Sequence, residues 1–424
     1  MHPLAIDDRK GAFTTGLGIL ARLDPNGDLS KKMNNGLIDM LYNTVHHPPA
    51  SYVGPRDSFR RADGGGNNHL NPDLGRAGMP YARSVQGKAG LPRTSLPDAG
   101  LVFDTILKRQ GIQDHPGGMS SMVFAFALIV THSVFRTDPK DISINNASSY
   151  LDLSPLYGDS EMHCISTEIS YLTFPLRKIK KPKIKRWSDP PPSDPEKFAL
   201  QDEEIFQTAR LINCGHFMSA IMGDYVTGFL GMSEGWNWNM NPFDIIKTND
   251  LKVDRGLGNH VSVEFNIIYR WHATISAKDE KWTEGIFRKV FGDKPFEELS
   301  SKDISKLYQA LNTTSKPSER TFAGLKRGPD GTFSDDDLAE ILYAATESPA
   351  GAFRARGTPT VLRLVEIMGI EQSRAWGVCT MNEFRKFLGL REFKTFEEWN
   401  PDPEIAGAAR RLYGHVDNME LYAS

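Results

Sequence analysis

The chain has 424 residues, of which 39% are hydrophobic, and its formal net charge is −3 at pH 7. This length allows one large domain or two to three ordinary ones, and the small negative charge excludes a protein that attracts nucleic acid through an overall positive field. The three cysteines, Cys164, Cys214 and Cys379, are too few and too widely spaced for a disulfide framework or a cysteine-based zinc site.

Residues 1–100 carry few signals of regular structure, because proline and glycine recur, as in Pro48-Pro49 and Gly64-Gly65-Gly66. The pattern predicts an extended N-terminal arm with partial helices over 1–100 and a larger body over 101–424. We predict no secretory signal at the N-terminus, and the longest apolar runs reach about half a membrane span. An intracellular, cytoplasmic location is therefore the default expectation.

The segment 120–136 is apolar nearly all round, which predicts a buried helix. It contains His132, and a histidine in such a helix is either a core residue with hydrogen-bond partners or a functional group. The loop 145–158 follows and is rich in hydroxyl and amide side chains. Its oxygens match those that calcium prefers, but the same composition is typical of a turn-rich linker; the side chains concerned are Ser148, Ser149, Asp152 and Ser154.

The segment 159–200 differs in composition from its flanks. Seven of the ten residues at 177–186 are basic, and a proline-rich stretch follows at 187–195. A basic run of this kind serves as a nuclear-localisation-like signal or as a patch for anionic lipids. It is also typical of a solvated, flexible loop, and the sequence leaves these interpretations open.

From residue 201 onward the periodicity is almost entirely helical. An acidic opening at 202–204 suits a helix N-terminus, and Ser334 with Asp337 predicts a capped helix start. No sheet signal of any length is present, so the sequence predicts a mainly α fold. The later helical periods cover 338–348, 360–369, 380–388 and 403–413.

The central segment 261–276 has apolar residues at spacings of three and four, which predicts an amphipathic helix. On such a helix Tyr269 and His272 lie one turn apart on one face. The phenol hydroxyl and the imidazole each need a bonding partner when they are buried, and an iron atom bound to the imidazole would be such a partner. Taken alone, the pair is more typical of ordinary core or surface packing.

Three segments, 131–137, 148–158 and 264–272, occur in one order along the chain. Together they resemble the cyclooxygenase branch of the animal-type haem peroxidase superfamily, and within it the fungal linoleate (fatty-acid) dioxygenases of the psi-producing oxygenase type. The resemblance implies a helical haem peroxidase fold, haem b as cofactor, and an oxidoreductase that converts an unsaturated fatty acid and O2 to a hydroperoxide. Alternatives are a haem peroxidase without lipid oxygenation and a truncated, inactive relative.

The resemblance also implies roles for single residues. His272 matches the proximal ligand of the haem iron, and His132 matches the distal histidine that moves a proton during peroxide cleavage. Tyr269 matches the tyrosine that becomes a radical and abstracts hydrogen from the fatty acid. The partners expected are the fatty acid and O2, with no nucleic acid, whereas a peripheral membrane or lipid-body surface and a homo-oligomer are left open.

The sequence departs from the family pattern at three places. Ser148, Tyr150 (through its carbonyl), Asp152 and Ser154 match the family's calcium loop, but Ser133 stands where relatives carry an aspartate, which predicts a weak site with one carboxylate. Between 159 and 200 the pattern of a core helix is lost, either in the protein itself or through a gene-model artefact. The chain also stops at Ser424, before a stretch that closes part of the lipid channel in relatives.

Overall fold

A computed structural model describes residues 15, 16, 19, 22, 24, 27–38, 61–68, 70–87, 92–154, 187–188, 190–229, 261–303, 306 and 324–423. The basic run 177–186, most of the atypical segment 159–200 and residues 155–158 of the predicted loop lie outside these ranges. The described residues are mostly helical, which confirms the predicted mainly α fold.

The described part of the chain forms its helices in the order given next, with short 3-10 turns between some of them. They are α1 Asp28–Ile38, α2 Ala99–Val102, α3 Met122–Val134, α4 Pro195–Ala220, α5 Val226–Phe229, α6 Val263–Ile268, α7 Ala277–Phe291, α8 Asp335–Glu347, α9 Arg363–Trp376, α10 Met381–Phe387, α11 Phe396–Trp399 and α12 Pro403–Tyr413. A π-helical turn, Phe103–Leu107, extends α2, and another, Ile221–Tyr225, joins α4 to α5.

Regular sheet within the described residues is limited to one short antiparallel pair. Strand β1, Met79–Pro80, pairs with β2, Ile144–Asn145, so that Met79 lies opposite Asn145. The Asn145 side chain then accepts the Arg136 N–H at 2.8 Å and donates to the Val134 carbonyl at 2.8 Å. Asn145 therefore satisfies backbone groups at and just beyond the C-terminal end of α3, where the helix leaves them without internal partners.

The chain divides into two compact units, each built from discontinuous segments. The first contains residues 1–6, 85–128 and 264–424, and the second contains residues 7–84 and 129–263. The first unit has a core of buried apolar residues from the α6–α7 connection, α7, the segment after α7, the turn before α9 and α9 itself, namely Ile275, Phe287, Leu299, Val361, Leu362 and Leu364.

The helix predictions in the C-terminal part are confirmed with small shifts of boundary, except that α9 continues to Trp376, well beyond the predicted 360–369. The period at 403–413 coincides with α12, and the period at 338–348 corresponds to α8. The predicted cap is present, because the Ser334 hydroxyl accepts the Asp337 N–H at 3.4 Å. Local capping and periodicity are sufficient to locate these helices.

Two helices differ from their predictions. α3 is not buried all round: Leu128 and Ile129 are 38% and 46% exposed, and its buried face follows Val123, Ala127, Val130 and Val134. α4 begins at Pro195, earlier than the acidic residues suggested, because the Asp194 side chain caps it and proline fits the first helical turn.

The central segment is also not one continuous helix over 261–276, and this prediction is wrong. α6 ends at Ile268, and His272–Thr274 forms a separate 3-10 turn. The backbone after the break is held by a residue outside the segment: the Arg109 guanidinium donates to the carbonyls of Ala273 and Ile275 at 3.1 and 3.0 Å. Carbonyls held in this way are directed to a side chain and not along a continued helix.

Candidate functional site

The His272 turn in the first unit is fixed by a buried arginine. Besides the two carbonyls of the turn, Arg109 donates to the Gly357 carbonyl at 2.7 Å and forms an ion pair with Glu280 at 2.6 Å. Its side chain is only 7% exposed. Burial lowers the pKa of Arg109, and Glu280 opposes this shift. Because several bonds from one planar group act on a short stretch of backbone, the turn that carries His272 has little freedom.

The imidazole of His272 contacts a buried carboxylate. Its Nδ1 lies 2.9 Å from Oε1 of Glu366, on α9. This bond engages one ring nitrogen and leaves Nε2 available to a metal. A haem iron requires one axial nitrogen of this kind from the protein, so the donor set fits haem. The described residues contain no group of three or more His, Cys, Asp or Glu side chains that would hold a metal ion without such a macrocycle.

Glu366 is held from its other side by Tyr422, in the 3-10 turn Leu421–Ala423. The Tyr422 hydroxyl donates to Oε2 of Glu366 at 2.6 Å. Gly369 lies one turn further along α9, and a Cβ at this position would collide with the Tyr422 ring and hydroxyl. The glycine therefore permits the close approach on which the bond between Tyr422 and Glu366 depends.

The ionisation of this pair follows from burial and charge. Burial opposes the charged form of Glu366, but His272, Tyr422 and Arg270 together hold its pKa below the ordinary value. Burial and the neighbouring Glu366 raise the pKa of Tyr422 well above its ordinary value. Tyr422 is therefore a neutral donor and Glu366 an ionised acceptor at neutral pH.

A cavity of about 310 Å³ in the first unit borders this network. Its apolar lining comes from residues such as Ile267, Ile268 and Phe353, and its polar lining includes Arg270 and Glu366. The Arg270 guanidinium is itself anchored to α6 and α9, through the Asn266 carbonyl at 2.9 Å and the Gln372 side chain at 3.0 Å. A mixed lining of this type suits a molecule with an apolar body and a polar end.

Tyr269 lies in an aromatic cluster at the end of α6. Its ring stacks on Phe265 with centroids 5.0 Å apart and meets Trp271 edge-on at 5.5 Å. Trp271 in turn contacts Phe353 at 4.7 Å. The break after Ile268 thus gives Tyr269 an aromatic environment on a helix end, while His272 lies in the following turn.

His132 belongs to the second unit, at the C-terminal end of α3, where its side chain is exposed. The next residue, Ser133, is buried and donates its hydroxyl to the Ile129 carbonyl at 2.7 Å. The predicted calcium loop reaches this point, because the Ser154 hydroxyl donates to the Ser133 carbonyl at 3.0 Å. Oδ1 of Asp152 accepts the Ser154 N–H at 3.0 Å.

The other two predicted loop ligands also lie in this part of the second unit. The Ser148 hydroxyl is buried and accepts the Tyr150 N–H at 3.2 Å. The carbonyl of Tyr150 accepts the Asp152 N–H at 2.9 Å, and its phenol donates to the Leu74 carbonyl at 2.8 Å. The structure thus groups Ser148, Asp152 and Ser154 in one loop, with much of their hydrogen-bonding capacity used locally.

Sequence reasoning missed Glu366, Tyr422 and Arg109. A signal existed for Glu366, because it occupies the buried stripe of α9 at helical spacing from Gly369, Ile370 and Ser373. A carboxylate at such a position needs a partner. Nothing in the sequence identified His272 as that partner, nor Arg109 as the residue that holds the turn after α6.

Known proteins resemble this chain along its whole length. A model of the family described as animal haem peroxidase matches residues 196–424, slightly more than half of the chain. Psi-producing oxygenase A of Aspergillus fumigatus is 38% identical over 456 aligned residues, covering 99% of this chain and 42% of that protein. Linoleate diol synthase of Gaeumannomyces graminis is 36% identical, covering 98% and 39%. The chain spans about two fifths of the length of the curated relatives it matches.

Solved structures share the fold at lower identity. Fatty acid alpha-dioxygenase of Oryza sativa aligns with a TM-score of 0.57 and 14% identity, covering 98% of this chain and 84% of the rice chain. The enzyme of the same name from Arabidopsis thaliana aligns with a TM-score of 0.57 and 13% identity, covering 97% and 78%. These alignments confirm the predicted haem peroxidase-like helical fold.

Proposed function

The chain belongs to the animal haem peroxidase family, and on this premise we propose that it is a haem-dependent fatty-acid dioxygenase. Its substrates would be O2 and an unsaturated fatty acid such as linoleate, and its product a hydroperoxide. Curated relatives that cover nearly all of the chain include linoleate diol synthase and linoleate 10R-lipoxygenase. The proposal transfers their substrate class to this chain.

The observation that carries the proposal is the hydrogen bond between His272 Nδ1 and Glu366. It leaves Nε2 of a rigidly held imidazole as the iron ligand, and the buried carboxylate orients the ring. When haem is bound at His272, it supplies the one-electron oxidation from which a tyrosyl radical is formed.

The hydrogen-transfer chemistry would fall to Tyr269. As a phenoxyl radical it takes a hydrogen atom from a doubly allylic carbon, which forms the phenol O–H bond and leaves a carbon radical. O2 adds to that carbon, and the resulting peroxyl radical takes the hydrogen atom back, so that a hydroperoxide and the tyrosyl radical are formed. The aromatic neighbours Phe265 and Trp271 support this role by holding the ring of Tyr269.

His132 is proposed as the residue that moves a proton during peroxide cleavage. Imidazole titrates near neutrality, which suits a group that both accepts and donates a proton. Its position near the end of α3, with an exposed side chain, makes it accessible to reactants. This role and that of Tyr269 are independent proposals.

Calcium is a further proposal, limited to the loop that contains Ser148, Tyr150, Asp152 and Ser154. The loop offers buried hydroxyls but only one carboxylate, and affinity for calcium rises with the charge of the ligands. The expected site is therefore weak. Calorimetric titration with calcium, repeated with Asp152→Asn, tests the site: heat that is equal in both proteins excludes it.

Membrane and subunit partners stay predictions. No helix among the described residues combines the length and the apolar character needed to cross a bilayer. Peripheral attachment to a membrane or lipid body, and a homo-oligomer, are tested by vesicle sedimentation and by light scattering of the purified protein.

The first test of the function is an absorption spectrum of protein produced with added haem, beside His272→Ala. We expect a Soret band in the unsubstituted chain and its loss in the variant. Linoleate-dependent oxygen uptake by the haem-loaded chain would then support the dioxygenase. Peroxide-driven dye oxidation without oxygen uptake would favour a haem peroxidase, and the absence of a Soret band in both proteins would favour an inactive relative.

A further inference from the structure

The carboxylate of Glu366 is held at both oxygens. Oε1 faces Nδ1 of His272 at 2.9 Å, and Oε2 accepts the Tyr422 hydroxyl at 2.6 Å. Because Glu366 is buried on α9 and Tyr422 is also buried, neither contact competes freely with water. The orientation of the carboxylate is therefore fixed by two short bonds from different elements.

The two bonds also determine where protons lie. An ionised carboxylate only accepts hydrogen bonds, so the bond to Nδ1 requires a proton on that nitrogen. In a neutral imidazole the second nitrogen, Nε2, then carries the lone pair that a metal needs. A backbone carbonyl at the same place would select the same tautomer, but a buried anion also increases the electron density of the ring.

We propose that Glu366 is a positioning residue for the proximal imidazole: it selects the Nδ1–H form of His272 and strengthens electron donation from Nε2 to a bound iron. The proposal rests on the haem site of the proposed function. Tyr422 completes the arrangement by holding the second oxygen of Glu366, and Gly369 provides the space for its ring. A stronger nitrogen donor stabilises ferric over ferrous iron, which lowers the reduction potential.

Glu366→Gln separates charge from shape, because the amide retains the size and one acceptor oxygen. In the haem-loaded protein we expect the Soret band to persist, the reduction potential to become more positive, and the iron–histidine stretching band of the ferrous form to move to lower frequency. Spectroelectrochemical titration and resonance Raman spectroscopy measure these shifts. A variant that keeps the potential and the band of the unsubstituted protein overturns the proposal.

Chemical rescue provides a second variant. Glu366→Ala leaves space beside the cavity of about 310 Å³, which Glu366 itself lines. We expect added formate to move the potential and the stretching band of this variant back toward those of the unsubstituted protein, because a small carboxylate can occupy the vacated position near Arg270. Shifts that formate leaves unchanged contradict a role for the carboxylate at this position.

Glu420→Gln is the matched control. Glu420 is also a buried carboxylate with a tyrosine donor, since Tyr413 donates to it at 3.0 Å and Arg374 pairs with it at 2.7 Å. No bond joins it to His272. The same substitution there should leave potential and Raman band unchanged even if stability falls, so a shift of equal size in both variants would indicate a general structural effect and overturn the proposal.

A measurement without haem keeps this role separate from the proposed function. Long-range 1H–15N NMR of the haem-free protein, assigned with His272→Ala, reports which ring nitrogen of His272 is protonated. We expect the Nδ1–H form in the unsubstituted chain and a larger Nε2–H population in Glu366→Gln. A protein that shows the Nδ1–H form but no Soret band refutes the haem function alone, whereas an Nε2–H form refutes the role of Glu366.

Discussion

Gly369 of α9 lies directly beneath the ring and hydroxyl of Tyr422, with no space for a side chain between them. This contact allows the Tyr422 hydroxyl to reach Glu366. Because Glu366 also contacts Nδ1 of His272, the same contact helps to orient the imidazole. The position of a glycine on a helix face thus determines whether a hydrogen-bonded chain of three side chains can form.

Gly369→Ala should therefore destabilise the protein although alanine favours helices. Overpacking of a close contact costs ~1–3 kcal/mol, which exceeds the gain in helix propensity of ~1 kcal/mol. Gly285→Ala is the control, because Gly285 lies in the exposed part of α7 with no atoms near the added methyl group. Urea denaturation should show a loss for the first variant and a gain for the second; equal changes would contradict the close contact.

Arg109→Lys should destabilise the turn that carries His272. Lysine keeps the charge but lacks the planar fork that serves the carbonyls of Ala273, Ile275 and Gly357 together. Each buried acceptor left without a donor costs ~1–3 kcal/mol.

Arg93→Lys is the control for that substitution, because Arg93 forms an exposed ion pair with Glu371. Its free energy of unfolding should change by less than ~1 kcal/mol. Thermal denaturation of both variants measures the difference. A stability of Arg109→Lys equal to that of Arg93→Lys would show that the carbonyls find other donors.

The C-terminal helices could be predicted because their determinants are local. Ser334 caps α8, and the Asp402–Pro403 pair opens α12 at the first residue of the predicted period. The apolar spacing around Tyr269 and His272, in contrast, predicted one continuous helix that the structure does not form, and the resemblance to a known family singled out these two residues. The residues that cap and start α8 and α12 lie within a few positions of these helices, so the sequence alone is enough to predict them.

The remainder depended on contacts between residues far apart in the sequence. After α6 ends at Ile268, Arg109 binds the carbonyls of Ala273 and Ile275, and no local pattern around 261–276 reports this contact. Helical periodicity places Glu366 on a buried face, but its partners His272 and Tyr422 come from two other segments. For α3, uniform hydrophobicity obscured which side is buried.

The stability of the folded protein should depend on pH in the acid range through the ionisation of Asp303. The Lys294 ammonium at 2.8 Å, with the Ser300 N–H at 3.0 Å, lowers the pKa of Asp303 to about 2. An unfolded aspartate titrates near ~3.9, so the folded state gains from ionised Asp303 above that pH and loses this gain as the pH falls to about 2.

The difference in melting temperature between the unsubstituted chain and Asp303→Asn should therefore be largest above pH ~4 and decrease toward pH ~2. Asp293→Asn is the control, since Asp293 is exposed and has no hydrogen bond from its side chain within the described residues. Calorimetry across this range measures both variants. A difference for Asp303→Asn that does not vary with pH would contradict the ionic contribution.

Tyr269→Phe distinguishes a dioxygenase from a peroxidase. The substitution removes the O–H group that carries hydrogen to and from the fatty acid but keeps the ring that packs on Phe265 and Trp271. We expect linoleate-dependent oxygen uptake to fall to the level of the haem-free protein, while the Soret band and peroxide-driven dye oxidation remain. Tyr343→Phe controls for loss of a phenol, because Tyr343 is 70% exposed on α8. Tyr343→Phe should retain both activities. Oxygen uptake that survives in Tyr269→Phe would exclude Tyr269 as the radical site. Loss of both oxygen uptake and dye oxidation in Tyr269→Phe would indicate that the substitution damages the haem site.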